Sequence, residues 1–178
     1  ILIILFAGNC FARIIVAGAN QSVKTLKEAI AVAKDKDSIL LQPGVYREGN
    51  LILTKSVTII GNNAVLDGQN KFEILTITGK NIVVKGIQFI NAGYSSMNDF
   101  AAIKIINAAN VLIDNNTITN AYFAIHISNS SYCTISNNKI TGTPKTEQST
   151  GNGIHLWKCN NAAIKNNTIT GQRDGIYF

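Results

Sequence analysis

The residues best suited to chemistry in this 178-residue sequence are two histidines, His126 and His155, and one methionine, Met97. Imidazole and thioether donors suit copper. Two ring nitrogens held close together can share a soft or borderline metal, because a metal–imidazole bond is only about 2 Å long. The histidines occupy matching surroundings, AIHIS and GIHLW. The period-two alternation that turns Ile125, Ile127, Ile154 and Leu156 inward turns both histidines outward, onto the surface. Met97 lies in the inserted segment AGYSSMND, and the second insertion, TPKTEQST, enters at the same corner. Both loops are expected on the histidine side. The alternative to a metal or ligand site is a plain stack of equivalent residues, which repeats generate readily.

Polysaccharide lyases and hydrolases need a different set: clustered outward carboxylates, sometimes with calcium, or a base poised to take a proton. Asp114 falls in a turn, Asp99 and Glu147 in insertions, and Asp174 at the start of the last strand, with no two in one column. No catalytic residue is assigned, and a secreted carbohydrate-active enzyme stands as the second class of function. Cys133 and Cys159 have neither knuckle nor disulfide-framework spacing. Cys159 aligns with Ser130 and Cys133 with Ala162, so a disulfide between them is geometrically poor. The net charge of +6 is spread along the chain without aromatic interleaving, which argues against nucleic acid as a partner.

The elements that position these residues repeat. ANVLIDNNTITN (109–120), SYCTISNNKITG (131–142) and NAAIKNNTITG (161–171) align without gaps, and each is followed by a second strand pattern, AYFAIHIS, GNGIHLW or RDGIYF. An earlier copy, KNIVVKGIQFIN with FAAIKII, lacks the Asn pair. Ile103, Ile125, Ile154 and Ile176 are therefore equivalent, and the basic period is about 22 residues with one insertion of about seven. Short alternating strands at that period cannot bury an apolar side alone, so successive units must stack in parallel.

The fold class is all-β, a right-handed parallel β-helix with coils of about 22 residues. A leucine-rich horseshoe would show a Leu and Asn signature and a helical half-repeat, which are missing. The pairs Asn115-Asn116, Asn137-Asn138 and Asn166-Asn167 are expected at turns, because Asn tolerates left-handed backbone and stacked amides form ladders. Stacking places Lys104, His126, His155 and Tyr177 in one outward column, with backbones about 4.8 Å apart.

Residues 22–33 read as a short N-terminal capping helix with Leu26, Ala29, Ile30 and Ala33 on one face and Thr25 and Glu28 at capping-box spacing. The apolar opening, ILIILFAGNCFA, reads as part of a secretory signal over residues 1–12. Asn9 before Cys10 argues against a lipid anchor. The β-helix domain then covers 13–178, and because the last unit stops in mid-coil, further coils are expected beyond it.

The segment GNGIHLWKCNNAAIKNNTITGQRDGIYF, with SILLQPGVYREG upstream and the inserted AGYSSMND, resembles the NosD family of nitrous-oxide-reductase maturation proteins. GNGIHLW followed at coil spacing by GQRDGIYF is the more specific part. The resemblance implies a periplasmic, non-catalytic accessory protein that works with an ABC transporter permease and ATPase. It further implies a copper-chaperone lipoprotein as donor and a role in building the copper–sulfide centre of nitrous-oxide reductase. Carried over by position, Met97, His126 and His155 are the residues expected to hold copper transiently, and Trp157 is a candidate partner contact. His155 and Trp157 match the family motif best. The Met-bearing insertion is shorter and differently worded than the family's.

Overall fold

A computed structural model describes residues 12–95, 97–143 and 150–178. The expected signal segment lies almost wholly outside the described residues, as do Glu147 and most of the second insertion. Every paired strand runs parallel to its neighbour. The winding makes three faces. One carries β2 (Ser38–Leu41), the first half of β5 (Thr58–Asp67), the first half of β7 (Lys80–Ile90), β9 (Ala109–Asp114), β12 (Thr134–Ser136) and β15 (Ala163–Lys165). A second carries β3 (Gly44–Tyr46), the far halves of β5 and β7, β10 (Thr117–Thr119), β13 (Lys139–Thr141) and β16 (Thr168–Thr170). The third is a separate six-stranded sheet ordered β17-β14-β11-β8-β6-β4. Its members are β4 (Leu51–Leu53), β6 (Leu75–Ile77), β8 (Ala101–Ile106), β11 (Phe123–Ser128), β14 (Asn152–Trp157) and β17 (Asp174–Tyr177).

Stacking follows from the repeat. Leu75, Ile103, Ile125, Ile154 and Ile176 pair coil to coil, as do Ile59, Val84, Ile113, Ile135 and Ile164. Ile103, Ile125, Ile113 and Ile135 are fully buried. Each such side chain contributes about 1.5–3 kcal/mol of burial, so the columns are the main stabilising element.

The Asn pairs divide their labour. The first residue takes the left-handed conformation: φ is 51° at Asn115, 55° at Asn137 and 56° at Asn166. In the earlier coil that lacks the pair, Gly86 fills the same slot with φ 70°, and a Cβ there would lie 2.9 Å from the Gly61 carbonyl oxygen. The second residue builds the ladder. Oδ1 of Asn138 accepts from the backbone N–H (2.9 Å) and the side-chain amide (3.1 Å) of Asn116, and Oδ1 of Asn167 does the same for Asn138 at 2.9 Å each. The spare donors reach the carbonyls of Val84 and Ile113.

The helix, α1 (Leu26–Val32), is shorter than expected. Oγ1 of Thr25 accepts from the Glu28 N–H at 3.1 Å, while the Glu28 carboxylate accepts from Lys24 N–H rather than from the cap itself. Glu48, four positions beyond Gly44, closes the remaining donors by accepting from Leu26 and Lys27 N–H at 2.8 Å each. Thr25→Ala should therefore cost about 1 kcal/mol, read as a shift of the urea midpoint with an unchanged slope. One element was not anticipated: β1 (Ile14–Ala17) precedes the helix and pairs with β2, so helix and strand close this end together.

Candidate functional site

The outward column of the six-stranded sheet is continuous: Ile52, Thr76, Lys104, His126, His155 and Tyr177 pair in register through successive coils. Its lower half is a closed polar cluster. Lys104 Nζ lies 2.5 Å from Oε2 of Glu73, with both side chains little exposed, and the Thr76 hydroxyl donates to Oε1 of the same carboxylate. Above it stand the two imidazoles, with ring centroids 5.0 Å apart at 76°.

Neither histidine is freely exposed, and His126 is only 7% accessible, a correction to the outward alternation rule. The reason is a cover of aromatic rings that alternation does not encode. Phe123, which opens the same strand, stacks on His126 at 5.4 Å and meets His155 edge-on at 5.1 Å. Tyr122 packs on Phe123, and Tyr94 from the first insertion packs on Tyr122 at 5.0 Å. The first insertion thus folds over the histidine side, carrying Asp99 into electrostatic range of both rings.

Burial holds both rings neutral. It pushes His126 from 6.5 down to about 4, assisted by the charges of His155 and Lys104 and opposed by Asp99. His155 is lowered for the same first reason, with Arg173 assisting and Asp99 and Asp174 opposing. A neutral imidazole is the form that can ligate a metal. Nδ1 of His126 is buried with no hydrogen-bond partner, and Nδ1 of His155 lies 3.1 Å from Nδ2 of Asn152.

The other expected site residues fall further out. Met97, in the first insertion, is 91% exposed, whereas His126 is buried. Among the described residues no group of three or more His, Cys, Asp or Glu is placed to hold a metal. Trp157, two residues beyond His155 on the same outward parity, is 56% exposed, with Lys158 Nζ 5.9 Å from its ring centroid. Cys133 and Cys159 are free thiols, and burial raises Cys133 to about 11. Sequence reasoning missed Glu73, Phe123, Asn152 and Arg173. The equivalence of Phe123 and Asn152 was visible in the alignment of AYFAIHIS with GNGIHLW.

The described carboxylates are mostly engaged in structural contacts. Asp37 binds Arg13, whose guanidinium and backbone N–H, with that of Lys34, hold it well below the usual carboxylate range. Asp114 accepts from Ser136 and Asn137, and is lowered by those two bonds. Asp67 accepts from Gln69 and Asn91, and Asp174 pairs with Arg173.

A family model described as "Right handed beta helix region" matches residues 42–177. Among characterised proteins, the chain is 30% identical over 130 residues to the "Probable ABC transporter binding protein NosD" of Pseudomonas aeruginosa. That match covers 71% of this chain and 30% of NosD, so the chain spans under a third of that relative's length. Among solved structures, a protein of Parabacteroides merdae assigned to the glycosyl hydrolases superposes with a TM-score of 0.62 at 16% identity, covering 79% of this chain and 76% of that one. Pectin methylesterase PemA of Erwinia chrysanthemi superposes with a TM-score of 0.56 at 17% identity, covering 82% and 54%. At such identities the structural likeness is one of fold. Among the described residues no helix is long and apolar enough to cross a membrane.

Proposed function

We propose that this chain, which belongs to the right-handed β-helix family, is the β-helix of a NosD-type accessory protein acting in the periplasm. It takes part in assembling the copper–sulfide centre of nitrous-oxide reductase, receives copper from a chaperone lipoprotein and works beside an ABC transporter permease and ATPase. Copper is its cargo rather than a resident cofactor. The observation that carries this reading is the similarity to NosD over 71% of the chain. The outward column supports it, because two neutral imidazoles with centroids 5.0 Å apart form a donor set matched to a soft, weakly coordinated ion. Exposed Trp157 beside them is the proposed contact for the partner that delivers or removes copper.

The test is an anaerobic Cu(I) titration against a competing chelator. The wild-type protein should bind one Cu(I), and His126→Ala combined with His155→Ala should weaken binding by about 100-fold or more. Unchanged affinity in the double variant overturns the site. A carbohydrate-active enzyme is the competing class, and turnover of pectin-like polymers by the purified protein would decide for it. The engagement of Asp37, Asp67, Asp114 and Asp174 in structural contacts favours the accessory reading.

A further inference from the structure

His126 and His155 are equivalent in position yet differ at one nitrogen, and the register explains why. Ile125 pairs with Ile154, so Phe123 and Asn152, each three residues before its histidine, fill the same slot in successive coils. Phe123 brings a ring with no donor, and Nδ1 of His126 is left without a partner. Asn152, fully buried, brings an amide to Nδ1 of His155.

The orientation of that amide is fixed by a group that can only donate. Nη2 of Arg173 lies 3.1 Å from Oδ1 of Asn152. A guanidinium has no acceptor, so Oδ1 must face Arg173 and Nδ2 must face the imidazole. An amide N–H donates, so Nδ1 of neutral His155 carries the lone pair and Nε2 carries the hydrogen. In that state neither nitrogen is a free ligand.

We propose that Asn152, oriented by Arg173, is a positioning residue that locks His155 in the Nε2–H tautomer, so that His155 becomes a copper ligand only when the Asn152 amide turns over. The proposal rests on the copper reading given above. Metal-bound histidines commonly donate their second N–H to an oxygen acceptor. Turning the amide presents Oδ1 to Nδ1–H, frees the Nε2 lone pair and breaks the Arg173 contact. The ring proton moves from Nε2 to Nδ1 through solvent, with none gained or lost overall. Arg173, whose Nε also pairs with Asp174 at 3.1 Å and whose side chain is 41% exposed, is the point at which the lock is released. His126, with no such lock, is the imidazole available first.

The lock is tested on the copper-free protein by long-range proton–nitrogen correlation of 15N-labelled histidine, which distinguishes the two tautomers. Wild type should show His155 protonated at Nε2. N152D, whose carboxylate accepts from Arg173 and from Nδ1–H together, should show it protonated at Nδ1. R173M, at an exposed position that the fold tolerates, should show a mixture. In Cu(I) titration N152D should bind about tenfold tighter than wild type, with R173M between them. A wild-type ring protonated at Nδ1 overturns the lock, as does a pure Nε2–H ring in folded R173M. Tautomers that behave as stated while no variant binds Cu(I) leave the lock standing and remove the copper reading.

Discussion

Asn138→Ala is expected to destabilise the protein by about 4 kcal/mol, because it removes the centre of the amide ladder where water cannot substitute. Asn138 is 1% exposed and Asn116 2%. Truncation orphans the Asn116 backbone N–H and the Ile113 carbonyl, to which Asn138 Nδ2 donates, and leaves the Asn116 side-chain amide with only its bond to the Val84 carbonyl. Each buried group left unsatisfied costs about 1–3 kcal/mol, and partial relaxation of the turn keeps the sum near the middle of that range for two groups. Asn167→Ala removes the same contacts one coil on, at a half-buried position, and should cost roughly half as much because water reaches the orphans. Asn137→Gly should cost much less, since glycine takes the left-handed backbone freely and only an exposed bond from the Asn137 amide to Asp114 is lost. Urea unfolding of the three variants checks the order. A loss under about 1 kcal/mol for Asn138→Ala would mean that the ladder follows from the stacking of coils and does little to hold it.

That contrast marks how far the sequence could be read. The repeat, its register and the outward column all follow from apolar periodicity, because a coil must match its neighbour to stack. The Asn pairs were legible as turns, but which Asn takes the left-handed backbone and which builds the ladder emerged only from the hydrogen bonds. Strand β1 was hidden because IIVA stands directly after the apolar opening and lacks a repeat partner upstream. The site was less legible still. Alternation says which way a side chain points and nothing about what lies over it, so the rings of Phe123, Tyr122 and Tyr94 covering His126 were invisible to it. For Met97 the reverse holds: chemistry made it a candidate donor, but an insertion has no register, and the side chain stands in solvent. Arg173 and Asn152 were unreadable as a pair, since their contact joins two coils at a corner with no charge pattern to signal it.

Burial of His126 has a second consequence, a pronounced loss of stability in mild acid. With its folded-state value lowered from 6.5 to about 4, the folded ring stays neutral across a window in which the unfolded ring takes a proton. The unfolded state then binds more protons, so unfolding free energy falls as pH drops through 6.5 and levels off below about 4. At about 1.4 kcal/mol per pH unit, the loss between about pH 7.5 and pH 5 is roughly 2 kcal/mol from this residue. His155 adds in the same direction, since its value is lowered too. Phe123 and His155 pack against the ring, Lys104 adds a positive charge, and, among the described residues, Asp99 supplies a compensating negative one. His126→Leu should flatten the pH dependence of the urea midpoint in this window while leaving the value near pH 8 within about 1.5 kcal/mol of wild type, as for a volume-matched apolar exchange. The same variant retains His155 and should therefore keep a smaller residual slope. A wild-type profile that is flat from about pH 7.5 to pH 5 would place the ring in water. The aromatic cover would then be open in solution, and His126 would be as accessible to a metal as its position in the strand alternation implies.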